Sequence, residues 1–269
     1  MDQFESVARA AAAEAGQRLR QAWGERKIIE HKGAIDIVTD TDRAVEALVA
    51  SQLRRAFPDH LIIGEEASAG VMLQRPPHEP YVWYLDPLDG TTNFAHGFPH
   101  FAVSLALEGG GKLLLGIVHD PLRNETFCAR RGGGASLNGR LIHVSAVTDL
   151  EQALLGTGFP YDRREHLDFY LGFLADFMVR AQGVRRVGSA ALDLCYVACG
   201  RLDGFWEWKL KPWDTAAGAL IVAEAGGVVT DFRGAAFDAF GEQTLASNGS
   251  LHAIMTRLLS ARLGNAAGR

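Results

Sequence analysis

The sequence has few cysteines and no framework in which they could pair. Three occur among 269 residues, Cys128, Cys195 and Cys199. An odd number without regular spacing argues against a disulfide-stapled secreted scaffold and favours a reducing compartment. Cys195 and Cys199 lie four apart in an apolar stretch with helical spacing, so we expect both to be buried as small hydrophobic side chains.

The chain also lacks long apolar runs and a basic character. No stretch approaches the roughly 18 apolar residues of a membrane span. The first residues, which include Asp2 and Glu5, show neither the basic nor the apolar region of a signal peptide. These absences predict a cytoplasmic protein without a membrane partner. A net charge of −5 leaves no basic stripe for nucleic acid, so an anionic substrate would need local positive charge, of which bound cations are one source.

No linker divides the chain: it has no proline- or serine-rich stretch, no charge block, no internal repeat and no low-complexity segment. Its 269 residues, 48% of them hydrophobic, can bury a substantial core. Helices and strands mix over about residues 1–145, and helices alternate with strands over about 146–269. We therefore predict an α/β fold with two sub-domains packed in one compact unit.

Local patterns predict the individual elements. Apolar periodicity predicts a first helix over residues 4–19 and a second over 42–57, with Thr41 or Asp40 as its N-cap. Two strands flanking Gly109-Gly110-Gly111 predict a hairpin. The predicted strands cover residues 61–63, 81–85, 101–107, 113–118, 125–130, 134–144 (broken at Asn138-Gly139), 154–155, 205–208 and 228–230. The predicted later helices cover residues 164–180, 189–199, 214–225 and 249–263.

The most informative segment is residues 84–94, Tyr-Leu-Asp-Pro-Leu-Asp-Gly-Thr-Thr-Asn-Phe. Asp86 and Asp89 lie three apart after an apolar strand. Pro87 between them has a fixed φ and no amide donor, which predicts a turn that aims both carboxylates at one point. The carbonyl of Leu88 offers a further oxygen ligand. The alternative is an ordinary Asp-Gly turn at the end of a strand, but the whole string is more specific than that.

A helix that begins directly after this pair would add an anion site. The free amides of Gly90, Thr91 and Thr92 would then lie at its N-terminus. The segment would hold a cation and a phosphate side by side.

Two more acidic positions lie at element ends. Glu65 and Glu66 follow the strand over residues 61–63, at the edge where α/β sheets bind ligands, although a solvated loop is the alternative. Asp214 begins the helix over residues 214–225, where it could also act only as an N-cap.

A third acidic cluster, Asp36, Asp40 and Asp42, surrounds the entry to the second helix, where capping is again the alternative. Together the clusters supply carboxylate oxygens without cysteine or histidine partners. His96 and His100 lie four apart, but no third zinc-type ligand accompanies them, so we read them as surface or packing residues. Ligation by oxygen alone predicts a hard cation, Mg²⁺ before Ca²⁺ or Mn²⁺.

Three segments resemble the signature motifs of the inositol monophosphatase family in composition, order and spacing: Gly64-Glu65-Glu66, residues 86–94 and residues 213–218. The segments 99–104 and 186–194 are similar to its bacterial branch, and the likeness extends over nearly the whole chain. The resemblance implies a layered αβαβα fold with two or three Mg²⁺ ions at the junction of the sub-domains. It also implies Mg²⁺-dependent, lithium-sensitive hydrolysis of a small polyol phosphate, with myo-inositol 1-phosphate as the expected substrate, and a homodimer.

The resemblance also implies roles for individual residues. The implied metal ligands are Glu65, Asp86, the Leu88 carbonyl, Asp89 and Asp214. Glu65 and Thr91 would orient the attacking water, and Asp42 would pair with Thr91. The implied substrate-binding residues are Asp89, Gly90, Thr91, Thr92, Ala190 and Glu207. The family often has a lysine before its Asp-x-Val-Thr motif, and Lys32 is the candidate, although its spacing to Asp36 is one residue shorter.

Other functions stay open. Relatives with the same metal site hydrolyse 3′-phosphoadenosine nucleotides, fructose 1,6-bisphosphate or histidinol phosphate, and a non-catalytic scaffold that binds a macromolecular partner is a further alternative. The run from Gly90 to Phe94, together with Glu207, favours the inositol branch. Strand alternation places Trp206 and Trp208 on one face and Glu207 on the other, where it either meets the substrate ring or faces solvent. The segment 109–112 is not a P-loop, because Leu113 stands where serine or threonine is required.

Overall fold

Two helices form the first layer of the fold. The computed structural model describes residues 1–25, 29–31, 37–71, 73–76 and 79–266. Helix α1 spans Asp2–Ala22 and helix α2 spans Asp40–Ala56. Between them lies a short antiparallel pair, β1 (Ile29–His31) and β2 (Ile37–Thr39).

The N-cap of α2 is Thr39, so the prediction of Thr41 or Asp40 was wrong. Thr39 is the last residue of β2 and keeps an extended backbone, with φ −109° and ψ 162°. Its amide donates to Asp42 Oδ2 over 2.9 Å and its hydroxyl donates to the same oxygen over 2.5 Å. The helix therefore begins directly where the strand ends, two residues earlier than the start at residue 42 that the apolar pattern predicts.

The second layer is a seven-stranded sheet. Its strands lie side by side in chain order. They are β3 (Leu61–Gly64), β4 (Tyr81–Asp89), β5 (Ala102–Gly109), β6 (Lys112–Asp120), β7 (Glu125–Arg130), β8 (Gly134–Leu137) and β9 (Arg140–Leu141). Only β3 and β4 run parallel; the other neighbours are antiparallel. The predicted hairpin is confirmed, and Asn138-Gly139 separates β8 from β9 with φ values of 50° and 76°.

A second sheet of five strands follows. It contains β10 (Leu154–Thr157), β11 (Gly183–Arg185), β12 (Gly204–Trp208), β13 (Val228–Thr230) and β14 (Gln243–Ser247). Their order is β11-β10-β12-β14-β13. Strand β10 runs parallel to β11 and β12, and β14 runs antiparallel to β12 and β13. Strands β11 and β14 were not predicted, because neither has a sustained apolar run.

Five further helices complete the described part of the chain. They are α3 (Thr91–Ala95), α4 (Leu167–Met178), α5 (Ala190–Ala198), α6 (Pro212–Glu224) and α7 (His252–Ala266). The helix predicted over residues 164–180 is thus shorter at both ends. A 3₁₀ turn spans Leu150–Gln152.

The side chains of each strand alternate between the two faces of its sheet, and each face packs against a different layer of helices. On β4, Trp83 and Leu85 pack into the core under α1 and α2, whereas Val82 and Tyr84 face the opposite core. That second core holds α5 and α6 and is closed on its far side by Phe205 of the second sheet. Burial of each such large side chain stabilises the fold by roughly 2–3 kcal/mol.

The other face of the second sheet carries the outer helices. Trp206 of β12 and Leu245 of β14 pack against Phe177 of α4 and Met255 of α7. The sequence of layers is helices α1 and α2, the seven-stranded sheet, helices α5 and α6, the five-stranded sheet, and helices α4 and α7. The predicted α/β class and the αβαβα layering are confirmed.

The middle layer depends on small residues. A Cβ atom at Gly116 of β6 would lie 2.6 Å from the carbonyl oxygen of Ala217 in α6. The helix backbone therefore rests directly on the sheet, which fixes the depth at which the N-terminus of α6 meets the end of β4. Within the described ranges, no helix has the length and apolar content to cross a membrane. Cys195 is fully buried as predicted, while Cys199 is only partly covered.

His100 offers a test of this packing. It is 2% exposed, its Nε2 has no hydrogen-bond partner among the described residues, and its ring meets Tyr196 edge-on. Burial, helped by the positive charge of Arg123, lowers the pKa of His100 to about 4. The folded protein therefore keeps this ring neutral, whereas the unfolded chain binds a proton below about pH 6.5.

We predict that His100→Phe makes the protein less sensitive to acid. Protonation of the unfolded chain removes stability from the wild type as the pH falls from about 6.5 towards 4, and the variant lacks this loss. Urea unfolding at pH 7 and pH 5 should show the wild type losing about 2 kcal/mol more than the variant. A difference between the two proteins that is independent of pH would contradict the assignment.

Candidate active site

The predicted carboxylate pair lies on strand β4 and not in a turn. We expected the strand to end at residue 85, but β4 continues to Asp89. Pairing with β5 shifts inside this stretch, because Asp86 opposes Ser104 whereas Asp89 opposes Ala102. The extra residue forms a β-bulge. In a regular strand, residues three apart point to opposite faces, so the bulge is what returns Asp86 and Asp89 to the same side.

Backbone amides hold one oxygen of Asp86 and one of Asp214. Asp86 Oδ1 accepts a hydrogen bond from the amide of Leu88 over 2.8 Å. Asp214 Oδ2 accepts from the amide of Lys211 over 2.7 Å. Lys211 is the N-cap of α6, so Asp214 is not the N-cap that we considered; it lies three residues further on.

Asp89 is held in the same manner by the first turn of α5. Its Oδ2 accepts from the hydroxyl of Ser189 over 2.6 Å and from the amide of Ala191 over 2.8 Å. Ala190, which lies between these two donors, is buried. The second oxygen of Asp86, Asp89 and Asp214 accepts no hydrogen bond from the described residues. Each aspartate thus presents one anchored and one open oxygen.

The open carboxylates repel one another. Burial raises the pKa of Asp86 well above its ordinary value, and the charges of Glu65, Asp89 and Asp214 add to that effect. Burial and then the charges of Glu65 and Asp89 do the same to the pKa of Asp214. The pKa of Asp89 rises to about 6, because burial outweighs the hydrogen bonds from Ser189 and its neighbours. Among the described residues, no lysine or arginine is a main cause of these three pKa shifts.

This donor set fits a hard cation. The four acidic side chains and the Leu88 carbonyl offer oxygen alone, which suits Mg²⁺. A bound cation would offset the negative charge of these carboxylates. The groups lie within electrostatic range of one another, yet in the described part of the chain no three acidic, histidine or cysteine side chains form a ready-made ion cluster. The side chains that would hold a cation are Glu65, Asp86, Asp89 and Asp214.

Thr91 lies beside this acidic group. Its hydroxyl is 2.9 Å from Asp42 Oδ1 and 3.0 Å from the carbonyl oxygen of Leu88. One proton serves two acceptors, so the hydroxyl donates to one of them at a time. The other oxygen of Asp42 is the one that receives the two hydrogen bonds from Thr39. Asp42 therefore caps α2 and contacts Thr91 at once.

Gly90 provides the sharp entry into α3. Its φ of 98° lies in the left-handed region, and a Cβ there would come within 3.0 Å of the His100 carbonyl and 3.2 Å of the Gly188 carbonyl. Only glycine fits both constraints. Helix α3 begins at the next residue, as the sequence suggested, and Thr92 in its first turn is exposed.

Glu207 lies on β12 at the opposite side of the site. Trp206 and Trp208 pack together in the outer core, which leaves Glu207 on the face towards α5 and α6 as predicted. The carboxylate is partly exposed and accepts no hydrogen bond from the described residues. Burial raises the pKa of Glu207 to about 8, with Arg186 opposing the shift and Asp89 adding to it.

Sequence reasoning missed two residues that support the site. Ser189 anchors Asp89, and its position before an apolar helical stretch is the signature of an N-cap. The side-chain amide of Asn93 donates to the carbonyls of His100 and Val187 over 2.7 and 2.9 Å. It thereby joins α3 to the segment that precedes α5.

A buried charge in an apolar helix was also missed. Asp193 of α5 is 1% exposed, and its Oδ1 has no hydrogen-bond partner among the described residues. Burial, with the charges of Glu207 and Asp89, raises its pKa well above the ordinary value, and Arg186 opposes this. An acidic residue within an otherwise apolar stretch was the signal that could have found it. Lys32 and Asp36 lie outside the described residues.

Comparisons with known proteins show the family to which the chain belongs. A sequence profile of the inositol monophosphatase family matches residues 1–263. The Nus factor SuhB of Pseudomonas aeruginosa is 48% identical over 233 residues, which cover 85% of this chain and 85% of that protein. Inositol monophosphatase 2 of Solanum lycopersicum is 44% identical over 253 residues, which cover 93% of this chain and 96% of that protein.

A solved structure is similar to this chain over nearly its whole length. The crystal structure of the extragenic suppressor protein SuhB from Bartonella henselae matches with a TM-score of 0.88 at 40% identity. The match covers 95% of this chain and 98% of that one. The chain therefore belongs to the inositol monophosphatase family.

Proposed function

We propose that this chain is a Mg²⁺-dependent phosphomonoesterase that hydrolyses a small polyol phosphate, with myo-inositol 1-phosphate as its substrate. The observation that carries the proposal is the set of buried aspartates, each with one anchored and one open oxygen, beside the Thr91–Asp42 pair. Membership of the inositol monophosphatase family supports the reaction class.

The cation requirement follows from charge. A phosphate monoester is itself an anion and would not enter a cluster of carboxylates that already repel one another. When bound, Mg²⁺ offsets that repulsion and lowers the pKa of a coordinated water. Glu65, Asp86, Asp89 and Asp214 would hold two or three ions together with the Leu88 carbonyl.

Thr91 and Asp42 would orient the nucleophile. Once the Leu88 carbonyl serves as a ligand, Asp42 is the better acceptor for the single proton of the Thr91 hydroxyl. The Thr91 oxygen then has lone pairs free to accept a hydrogen bond from the attacking water, with Glu65 as the second acceptor. The bonds from Thr39 hold Asp42 in place while it does so.

The outer oxygens of the phosphoryl group need hydrogen-bond donors, because negative charge spreads over them in the transition state. The amides of Gly90 and Thr91, at the left-handed entry to α3, are the proposed donors, with Thr92 beside them. The ring would lie between Asp89 and Ala190 on one side and Glu207 on the other. The Glu207 carboxylate, which accepts no hydrogen bond from the described residues, suits the hydroxyls of a polyol.

A second proposal concerns binding. One relative is named as a Nus factor, and we propose for this chain a macromolecular binding role in addition to catalysis. A cytoplasmic homodimer stays our proposal for its assembly and location. A chain with the binding role alone would release no phosphate in the following experiment.

We predict that phosphate release from myo-inositol 1-phosphate requires Mg²⁺. Activity should vanish with chelator, return with Mg²⁺ and be inhibited by Ca²⁺, whose larger shell does not impose octahedral geometry. Asp89→Asn should lower kcat at least about 100-fold by removing an anionic ligand. The asparagine oxygen can still accept from Ser189 and Ala191, so circular dichroism should show an intact fold. Full activity in chelator, or a near-normal kcat for the variant at saturating Mg²⁺, would contradict the proposal.

Asp214→Asn tests whether the buried carboxylates repel one another in the metal-free protein. Without metal, the variant should be more stable than the wild type by about 1 kcal/mol at pH 7.5, because one of the buried repelling charges is gone. Its oxygen still accepts from the Lys211 amide. Mg²⁺ should then raise the Tm of the wild type more than that of the variant. Thermal unfolding with chelator and with Mg²⁺ measures both effects, and a less stable metal-free variant would be the contrary result.

Glu207→Gln tests the choice of substrate. If the carboxylate accepts a ring hydroxyl, the variant should lose about tenfold or more in kcat/KM on myo-inositol 1-phosphate, the roughly 1–3 kcal/mol of a charged hydrogen bond. Hydrolysis of p-nitrophenyl phosphate, which has no ring hydroxyl, should change much less. Equal losses on both esters would indicate damaged metal chemistry instead, and no loss on either would remove Glu207 from the site.

A further inference from the structure

The carboxylate of Glu207 lies directly against the bare Cα of Gly158. A Cβ atom built on Gly158 would lie 2.1 Å from Oε2 and 2.2 Å from both Cδ and Oε1 of Glu207. Real Cβ atoms essentially never come closer than 3.0 Å to such neighbours. The Glu207 carboxylate thus occupies the space that a side chain at position 158 would take.

The second sheet fixes this juxtaposition. Gly158 is the first residue after β10, and β10 runs parallel to β12 with Gly156 opposite Phe205 and Thr157 opposite Trp206. The same register, continued by one residue, brings Gly158 alongside Glu207. The hydroxyl of Thr157, which is buried, donates to the Trp206 carbonyl over 2.8 Å and holds the two strand ends together.

Little else holds the carboxylate. Glu207 accepts no hydrogen bond from the described residues, and it forms no ion pair within 4.0 Å there. Arg186 acts on it only through longer-range charge. Since no hydrogen bond from the described residues orients the carboxylate, its contact with Gly158 is the main restraint found there on where it lies. A substituent on Gly158 would therefore move the Glu207 side chain first.

The backbone at Gly158 allows that substituent. The residue is not in the left-handed region that favours glycine, so alanine does not meet the strain of a positive φ. The three nearest atoms are the far end of one flexible side chain and not backbone. Alanine at this position would thus displace the carboxylate while leaving the sheet in place.

We propose that Gly158 is a specificity-determining position, whose missing side chain sets where Glu207 meets the hydroxyls of a polyol phosphate. The inference rests on the proposed function, because it assumes that Glu207 faces the substrate ring. The three atoms nearest to a Cβ at Gly158 all belong to Glu207. Gly158 acts as a positioning residue through Glu207 alone, and esters without hydroxyls should not depend on it.

The test is a double-mutant cycle with two substrates at saturating Mg²⁺. Gly158→Ala should lower kcat/KM for myo-inositol 1-phosphate by about tenfold, the size of one misplaced hydrogen bond, and that for p-nitrophenyl phosphate by less than about twofold. In a Glu207→Ala background the carboxylate is gone, so adding Gly158→Ala should change neither value by more than about twofold. Gly172→Ala in α4 is the matched control, because the three atoms nearest to its Cβ, at 3.2 to 3.3 Å, all belong to the side chain of Arg262.

Three results would overturn the inference. They are equal losses on both esters, an undiminished effect of Gly158→Ala in the Glu207→Ala background, and unchanged selectivity in Gly158→Ala. A wild-type chain that shows no Mg²⁺-dependent hydrolysis would contradict the proposed function instead. A crystal structure of Gly158→Ala tests the inference independently of activity. A Glu207 carboxylate that has moved away from the new methyl group supports the positioning role, and a carboxylate that has not moved refutes it.

Discussion

The candidate site depends on the bulge in β4. Without the extra residue between the pairs Asp86–Ser104 and Asp89–Ala102, the two aspartates would point to opposite faces of the sheet. With it, they lie together near Asp214 and Glu65, and burial and repulsion raise the pKa of Asp86 and Asp214. A protein selected for stability alone would not gather such charges, so the arrangement points to a ligand of opposite sign.

The layered fold serves to bring these groups to one place. The first layer contributes Asp42 from the start of α2, the first sheet contributes the end of β4, and the middle helices contribute Asp214 and the donors that hold Asp89. The second sheet contributes Glu207. Because α6 rests on Gly116 without an intervening side chain, the N-terminal turn of α6 can approach the end of the strand. Small residues in the middle layer are thus as important to the site as the acidic ones.

The sequence predicted what is local and periodic. The hairpin around Gly110 and the two-faced strand at Glu207 are confirmed, since each follows from alternation or turn chemistry within a few residues. The αβαβα layering is confirmed as well, but it was expected from the family resemblance and not from a local pattern. Sequence reasoning missed what depends on tertiary pairing. The continuation of β4 through Pro87 and the polar strand β14 form because a neighbouring strand is present. The supporting roles of Ser189 and Asn93 connect residues about 100 positions apart, and no local pattern contains that information.

Capping and a functional role, which the sequence presented as alternatives, do not exclude each other in this structure. A carboxylate has two oxygens, and a helix N-terminus needs only one of them. Asp42 gives Oδ2 to Thr39 and Oδ1 to Thr91. Asp214 gives Oδ2 to the Lys211 amide and leaves its other oxygen open. The amide fixes the rotamer, so the remaining oxygen is aimed without further ordering cost when a ligand arrives. An acidic residue in the first turn of a helix is therefore a functional candidate whenever its second oxygen faces a buried neighbour of the same charge.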